Sequence, residues 1–433
     1  HYDSSMFKNL YLDKYIAIYL FVCLSYIFLF NLFNYSIFNG YDAEAHIAYV
    51  DYIAMYLPNT FRLPLQENTY EFFSPPLPYI FPAVIQVICR NIFTSNDLVS
   101  FCQPIYGKIT QIFQTFLYIS SLYFYMKTLK ILGNKKKLLN INLLLLISIL
   151  TVNYRSFLMI RGEPYIIFFL SLLLYLFTKN YKLNFEFGLK NIIIFSLVVG
   201  SLGISRQWGL LLLPSLAIIL FYFNGELRKS YFKFMLFVFI ISMIIILPFY
   251  IYLYSTSGSA ISFNKDPMKF SFSNQPNYFY NPINEDALKV FTKPIRGNFD
   301  NQLFPILYSD LWGDYWGYFS FTSSNLEQGR NQLLIGDYLA RVNLISLLPT
   351  FVLILSLFNL KKTNINKQLC KYIQFSILFT FFGYLWFLIR YPEIPTGDTI
   401  KSTYILQMFH LIAFSAAIYL DDLRKKNFKL YYS

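Results

Sequence analysis

Four ionisable side chains, Asp42, Glu44, His46 and Asp51, crowd into one short stretch, YDAEAHIAYVDY, just after the first long apolar run of the chain. Charge beside a bilayer is expensive, so such a cluster is a functional candidate by default. The chemistry it suits is acid–base. A carboxylate at a lipid–water boundary takes a proton from a hydroxyl when the two touch and the pKa is matched. Asp42 is the expected general base. Glu44 is a second carboxylate placed to share that role. His46 lies four residues after Asp42, on the same face of a helix, where it would orient Asp42 or touch the acceptor. Glu71, in YEFFSPP, is a further substrate-binding candidate. The plain alternative for Asp42 is a helix N-cap. Asn39-Gly40 breaks the preceding helix, and Ile47, Val50, Ile53, Ala54 and Leu57 then recur at the spacing of an amphipathic helix lying on the membrane surface.

A second group is basic. Arg206 in SRQWG, Arg161 in RGEP and Arg390 before YPEIPTGDTIK lie at helix ends expected on the outer side, with Arg155 nearby. Guanidinium groups bind phosphate bidentately, so Arg206, Arg390 and Arg161 are donor-phosphate candidates; the competing reading is snorkelling to the headgroups. Lys293 and Arg296 are weaker candidates for donor or acceptor contact. In DLWGDYWGYF, the residues Trp312, Asp314 and Trp316 would form an acceptor platform, or else pack as an aromatic cluster that shapes the loop. His410 reads as a core residue with a local hydrogen bond.

The elements that must position these groups are membrane helices. The chain has 433 residues, of which 56% are hydrophobic and 14% charged, against roughly 25% charged in soluble domains. Apolar runs fall near 14–36, 106–130, 139–153, 164–178, 190–204, 207–223, 233–254, 343–360, 371–390 and 402–420. The expected fold is an all-α polytopic membrane protein with about 10–11 transmembrane helices. It is read as one unit over 1–433, with two large extracytoplasmic loops, 37–105 and 255–342. Basic clusters at 135–137, 179–190, 228–233, 361–367 and 424–426 mark cytoplasmic turns. The net charge of +13 therefore reads as topology, and no nucleic-acid partner is expected. Segment 75–93 is the ambiguous one. Its prolines, Pro75, Pro76, Pro78 and Pro82, favour a flat or re-entrant piece over a straight span. The four cysteines form no CxxC pair, so neither zinc nor a disulfide framework is indicated.

The order of a first span, then YDAEAH, RLP, YE and PPLPY, resembles the GT-C superfamily, membrane glycosyltransferases that use polyprenyl-phosphate sugar donors. Protein O-mannosyltransferases and the aminoarabinose transferase of lipid A belong to it. The likeness is concentrated over 38–90, with Pro78 where the family usually has an aromatic or aliphatic residue. It implies an enzyme that moves a sugar, with inversion, from a polyprenyl-phosphate donor to a hydroxyl of a glycan, lipid or protein acceptor. Since some members of the superfamily need metal and others do not, it also raises a divalent cation, Mg or Mn, held by Asp42 and Glu44 in a set that Glu163 would complete. The reaction would take place on the outer face of a membrane, a bacterial plasma membrane more readily than the endoplasmic reticulum. The chain contains no GxxxxGK[ST] loop, no HExxH and no cytoplasmic DxD, so ATP-driven pumping, intramembrane proteolysis and nucleotide-sugar donors are not indicated. The remaining alternatives are a polysaccharide polymerase or ligase outside GT-C, and a lipid-linked sugar flippase.

Overall fold

The computed structural model describes every residue apart from 1–2, 41, 94–96, 134–136, 283–285, 295–299, 314–331, 361–365 and 427–433. Asp314, Trp316 and Arg296 lie outside the described residues. No strand occurs among the described residues, as lipid demands: in hydrocarbon an apolar segment must satisfy its own backbone, and a helix does so within the segment. The helices are α1 (Asp3–Asn34), α2 (Ala43–Tyr56), α3 (Leu77–Ile92), α4 (Leu98–Ile131), α5 (Lys137–Ser148), α6 (Val152–Ser156), α7 (Glu163–Lys182) and α8 (Leu189–Ser205). They continue with α9 (Leu213–Ile218, between two 3₁₀ turns), α10 (Gly225–Ser257), α11 (Asn277–Tyr280), α12 (Leu303–Trp312), α13 (Gln332–Ile345), α14 (Leu347–Asn359), α15 (Lys367–Arg390) and α16 (Leu406–Lys426).

Among the described residues, five segments are long and apolar enough to cross a membrane: Glu163–Lys182, Gly225–Ser257, Gly336–Asn359, Lys367–Arg390 and Ser402–Lys426. The protein is thus a helical membrane protein. Shorter apolar stretches cover Ile18–Asn34, within the 32-residue α1, and Leu139–Ser148, Leu189–Ser205 and Gln207–Tyr222. α4 is long, with 34 residues, yet it buries a polar face of Thr110, Gln111, Gln114, Ser121 and Thr128.

The helix ends sort into two sets. Gln111 donates to Tyr35 O and Leu158 O (3.1 and 3.0 Å), and Gln114 to Phe157 O and Met159 O (2.9 and 2.7 Å). These contacts join the end of α1, the middle of α4 and the stretch leading to α7. Tyr250 on α10 donates to Gly203 O at the end of α8, and Gln275 donates to Leu388 O near the end of α15. At the opposite end Phe177, Phe185, Tyr231 and Tyr372 pack ring against ring, and Gln368 reaches Tyr222 O. Ends flanked by the basic stretches 179–190 and 228–233 meet one another, and the ends joined through Gln111, Gln114, Tyr250 and Gln275 form the second set.

α2, α3 and the first turns of α4 form a cap beside the second set of ends. α3 has 16 residues, a rise of about 24 Å against roughly 30 Å of hydrocarbon, so it falls short of a straight span. It folds back along α4, with Phe81 stacked on Phe113 at 4.3 Å. Asp51 of α2 ties the three helices together. Its carboxylate accepts from Gln86 (2.6 Å), Gln103 (2.8 Å) and the Tyr106 hydroxyl (3.2 Å). Cys89 of α3 and Cys102 of α4 form a disulfide, which corrects the expectation that no bridge is present. The two thiols come from separate helices that only tertiary folding brings together, which motif spacing does not show. Such bridges persist in oxidising compartments. Closing a loop of this length stabilises by about 3 kcal/mol. Cys89→Ser is therefore expected to lower the thermal midpoint, and thiol alkylation under non-reducing conditions should leave Cys89 and Cys102 of the native protein unlabelled.

The region 255–342 is likewise not bare loop. It carries α11, α12 and the start of α13. α12 is buried through Leu303, Ile306, Leu311 and Trp312.

Candidate functional site

The chain leaves α1 through a turn at Gly40, whose backbone has φ +105°, the left-handed region that favours glycine. Asp42 follows at φ 53°, immediately before α2. It occupies the N-cap position but makes no cap hydrogen bond with its side chain. The alternative reading, a side-chain N-cap, is therefore not what it forms. Its Oδ2 instead lies 3.4 Å from Lys401 Nζ. The Lys401 ammonium holds the Asp42 carboxyl below the ordinary value of 3.8, outweighing burial and the Glu71 carboxylate, which push upward. Asp42 keeps 45% of its side-chain surface open, so the carboxylate is both ionised and reachable.

Around this pair lies a cavity of about 290 Å³. Asp42, Glu71, Ser74, Arg206, Gln207, Lys401 and Tyr404 line its charged side. Phe73, Trp208, Phe263, Phe387 and Tyr391 supply an aromatic wall. Asn264, Lys265, Glu393, Asp398 and Thr399 complete the lining, with Lys265 paired to Glu393.

Behind the cavity is a buried ion network. Glu163, at the first turn of α7, faces two guanidinium groups: Arg161 Nε at 3.1 Å and Arg206 Nε at 3.2 Å. Arg206 Nη1 also reaches Glu71 Oε2 (3.3 Å) and Ser74 Oγ (3.1 Å), and Ser74 donates to the same Glu71 oxygen at 2.5 Å. Arg161, Arg206 and Lys401 stand 5.9, 5.7 and 5.6 Å from the centre of the Tyr404 ring, within the range of cation–π attraction. The three acids Asp42, Glu71 and Glu163 thus balance three bases around one ring. Two tight helix ends build this network. At Gly162 a Cβ would lie 2.2 Å from Ser205 O, so only glycine lets RGEP seat against SRQWG.

His46 is buried behind Glu71. Its Nδ1 lies 2.8 Å from the Tyr79 hydroxyl and its Nε2 3.7 Å from Glu71 Oε1. Burial, reinforced by Arg161 and Arg206, pushes the imidazole well below its ordinary 6.5. The ring shares a hydrogen bond with Tyr79 at Nδ1, while its Nε2 stands beyond hydrogen-bond distance of Glu71. His46 packs beside Glu71 and does not contact Asp42 directly. The sign of the linkage follows. Between the unfolded pKa and the lower folded one, the unfolded chain binds the proton and the native one does not, so stability falls as pH drops below about 6.5. We expect His46→Gln to flatten part of the fall in thermal midpoint on going from pH 7 to pH 5.

Several expected site residues lie elsewhere. Glu44 is exposed and does not line the cavity. Arg390 donates from Nε to Met268 O (2.9 Å) and lies over the Trp386 ring at 5.2 Å; it pins the 265–275 stretch to the end of α15 outside the cavity lining. Arg155 is fully buried against Asp310 at 2.7 Å. Trp312 is buried and lines a separate apolar pocket of about 180 Å³ between α12, α14 and α16, so it is not an acceptor platform in this cavity. His410 is a core residue, 2.8 Å from Asn153 Oδ1. Among the described residues no three His, Cys, Asp or Glu side chains form a group able to hold a metal ion. The suggested set of Asp42, Glu44 and Glu163 does not assemble, because two arginines face Glu163 and Glu44 points to solvent. Two important residues, Lys401 and Tyr404, escaped the sequence reading although the neighbouring YPEIPTGDTIK drew attention; nothing local to that stretch signals a partner at Asp42.

An apolar groove of about 550 Å³ runs beside the cavity, lined by Phe61, Leu63, Leu65, Pro76, Ile204, Ile245, Pro248 and Phe249, with Tyr52, Arg62 and Tyr252. The partition between the two is thin. Ser74 and Arg206 line the cavity, while Pro76 and Ile204, two residues away, line the groove. Searches of protein-family models, curated proteins and solved structures match nothing, so the geometry alone carries the functional argument.

Proposed function

We propose that this protein is a GT-C-like glycosyltransferase of a cell membrane, moving a sugar from a polyprenyl-phosphate donor to an acceptor hydroxyl at the outer ends of its helices. The observation that carries the reading is the single cavity in which an ionised, reachable Asp42 faces Lys401 and Arg206. In the proposed reaction the acceptor O–H gives its proton to an Asp42 oxygen. Its oxygen forms a bond to the anomeric carbon from the face opposite the phosphate. The bond from that carbon to the phosphate oxygen breaks, and the electron pair leaves with the polyprenyl phosphate, so the anomeric centre inverts. Positive charge fixed beforehand stabilises the leaving group as its charge grows. Lys401 and Arg206 are placed for this, with Arg161 contributing from behind the Tyr404 ring. The aromatic wall suits the apolar faces of a sugar ring, and the neighbouring groove, which Arg62 also lines, suits a prenyl chain lying along α8 and α10.

The direct test presents the purified protein with a panel of polyprenyl-phosphate sugars and follows release of the lipid phosphate. No release with any donor and acceptor pair, from protein shown to be folded, overturns the assignment. The sugar, the acceptor class and the membrane are read from the same panel and from the source of the active lipid; a bacterial plasma membrane is the proposal.

A further inference from the structure

Asp310 stands outside the cavity, yet its carboxylate is bonded one residue away from the cavity's lysine. It is fully buried on α12. Its Oδ2 accepts from the Ser402 N–H at 2.6 Å and the Ser402 hydroxyl at 2.5 Å, and its Oδ1 from Arg155 Nη2 at 2.7 Å. Next along, the Thr403 and Ser156 hydroxyls are 2.6 Å apart. On the other flank, the Tyr384 hydroxyl accepts from Lys401 N–H (2.7 Å) and donates to Thr399 O (2.9 Å). Three elements, α6, α12 and α15, therefore fix the backbone on both sides of Lys401. Its side chain alone is left to cross the cavity edge toward Asp42.

A buried ion pair such as Arg155–Asp310 adds little stability that apolar residues of similar volume would not supply. What a satisfied buried network does provide is a unique geometry. Here the geometry specified is that of the turn carrying Lys401. We propose that Asp310 is a positioning residue, holding the 399–403 turn so that the Lys401 ammonium is aimed into the cavity at the place where a lipid-linked phosphate would sit. This rests on the glycosyl-transfer reading of the cavity. It also gives the large region between α10 and α13 a defined task, since α12 is the element by which that region reaches the site.

The test measures binding of a short-chain isoprenyl phosphate to the full-length protein in detergent, with the thermal midpoint recorded in parallel. The variants are Lys401→Met, Asp310→Asn, the paired Arg155→Met/Asp310→Leu, and Asp310→Asn combined with Lys401→Met. The paired apolar variant is included because Asp310→Asn removes the carboxylate facing the buried Arg155 guanidinium and is the one at risk of unfolding. Losing one charge-assisted contact weakens Kd by about tenfold or more, and that is the expected loss for Lys401→Met. The Asp310 variants should lose a similar factor, and the combined variant no more than Lys401→Met alone, since both changes remove one interaction. If the paired variant folds and binds as the natural protein does while Lys401→Met is weakened, the positioning role is overturned. If Lys401→Met itself binds unchanged, the phosphate reading of the cavity fails, and this proposal with it.

Discussion

Asp42→Asn is expected to lower sugar transfer by about 10²–10⁴-fold, the range for removing a general base, while leaving lipid-phosphate binding intact or tighter. The two effects move in opposite directions for a physical reason. In the resting site Asp42 occupies Lys401 at 3.4 Å. An amide keeps the shape of the side chain but gives up the charge that competes with phosphate for that ammonium. A merely structural role for Asp42 would not separate turnover from binding in this way. Measuring lipid-phosphate release and isoprenyl-phosphate affinity on the same preparation checks both halves. A variant that releases lipid phosphate at the natural rate removes Asp42 from the chemistry.

The same pair sets the pH behaviour. Lys401, the largest influence on Asp42, keeps its carboxyl below 3.8. The acid limb of kcat/KM, which reports the free enzyme, should accordingly lie below the ordinary carboxylate range. Lys401→Met removes the ammonium and moves that limb upward. There is a mechanistic corollary. In the proposed reaction, a donor phosphate that draws Lys401 away would leave Asp42 more basic when the acceptor hydroxyl loses its proton.

Glu163→Ala is the second large effect, and it falls on folding. Glu163 is fully buried and is the carboxylate that separates Arg161 from Arg206. Removing one partner of a buried ionic group costs about 3–5 kcal/mol, because buried charge is left under-compensated. Here Arg206 keeps Glu71 at 3.3 Å, but the carboxylate between two neighbouring guanidinium groups is lost and their mutual repulsion is no longer offset. Glu163→Gln retains volume and an acceptor oxygen, so it should lose less than Glu163→Ala. Thermal or denaturant unfolding in detergent ranks the three proteins. A Glu163→Ala protein within about 1 kcal/mol of the natural one, the ordinary value for a point change, would show that the network does not hold these helix ends together.

Much of this architecture is legible in the residues. Apolar runs give the helices, and the placement of lysine and arginine between them sorts the helix ends into the two sets that meet in space. Asp42, Glu71 and Arg206 are found because charge next to apolar sequence is costly and therefore conspicuous. What stays hidden depends on long-range pairing. Lys401 is 359 positions from Asp42, and an isolated lysine before an apolar run looks like any other flanking charge. Glu163 reads as a metal ligand candidate until its two arginines are seen in place. Cys89 and Cys102 read as ordinary apolar positions until α3 is folded back on α4. Helix length is also not registered by hydropathy: α8 ends after 17 residues, just before Arg206, and α5 stops after 12.

The close seating of Gly162 on Ser205 bears on how the site would work. With backbone touching backbone at that point, the starts and ends of α7 and α8 cannot slide apart without breaking the ionic lattice that spans them. The field at the cavity is therefore set when the chain folds, and little dipole reorientation remains for the moment of bond exchange. A substitution at Gly162 would loosen that field and raise the reorganisation energy of the reaction, even though no atom of this residue approaches a substrate.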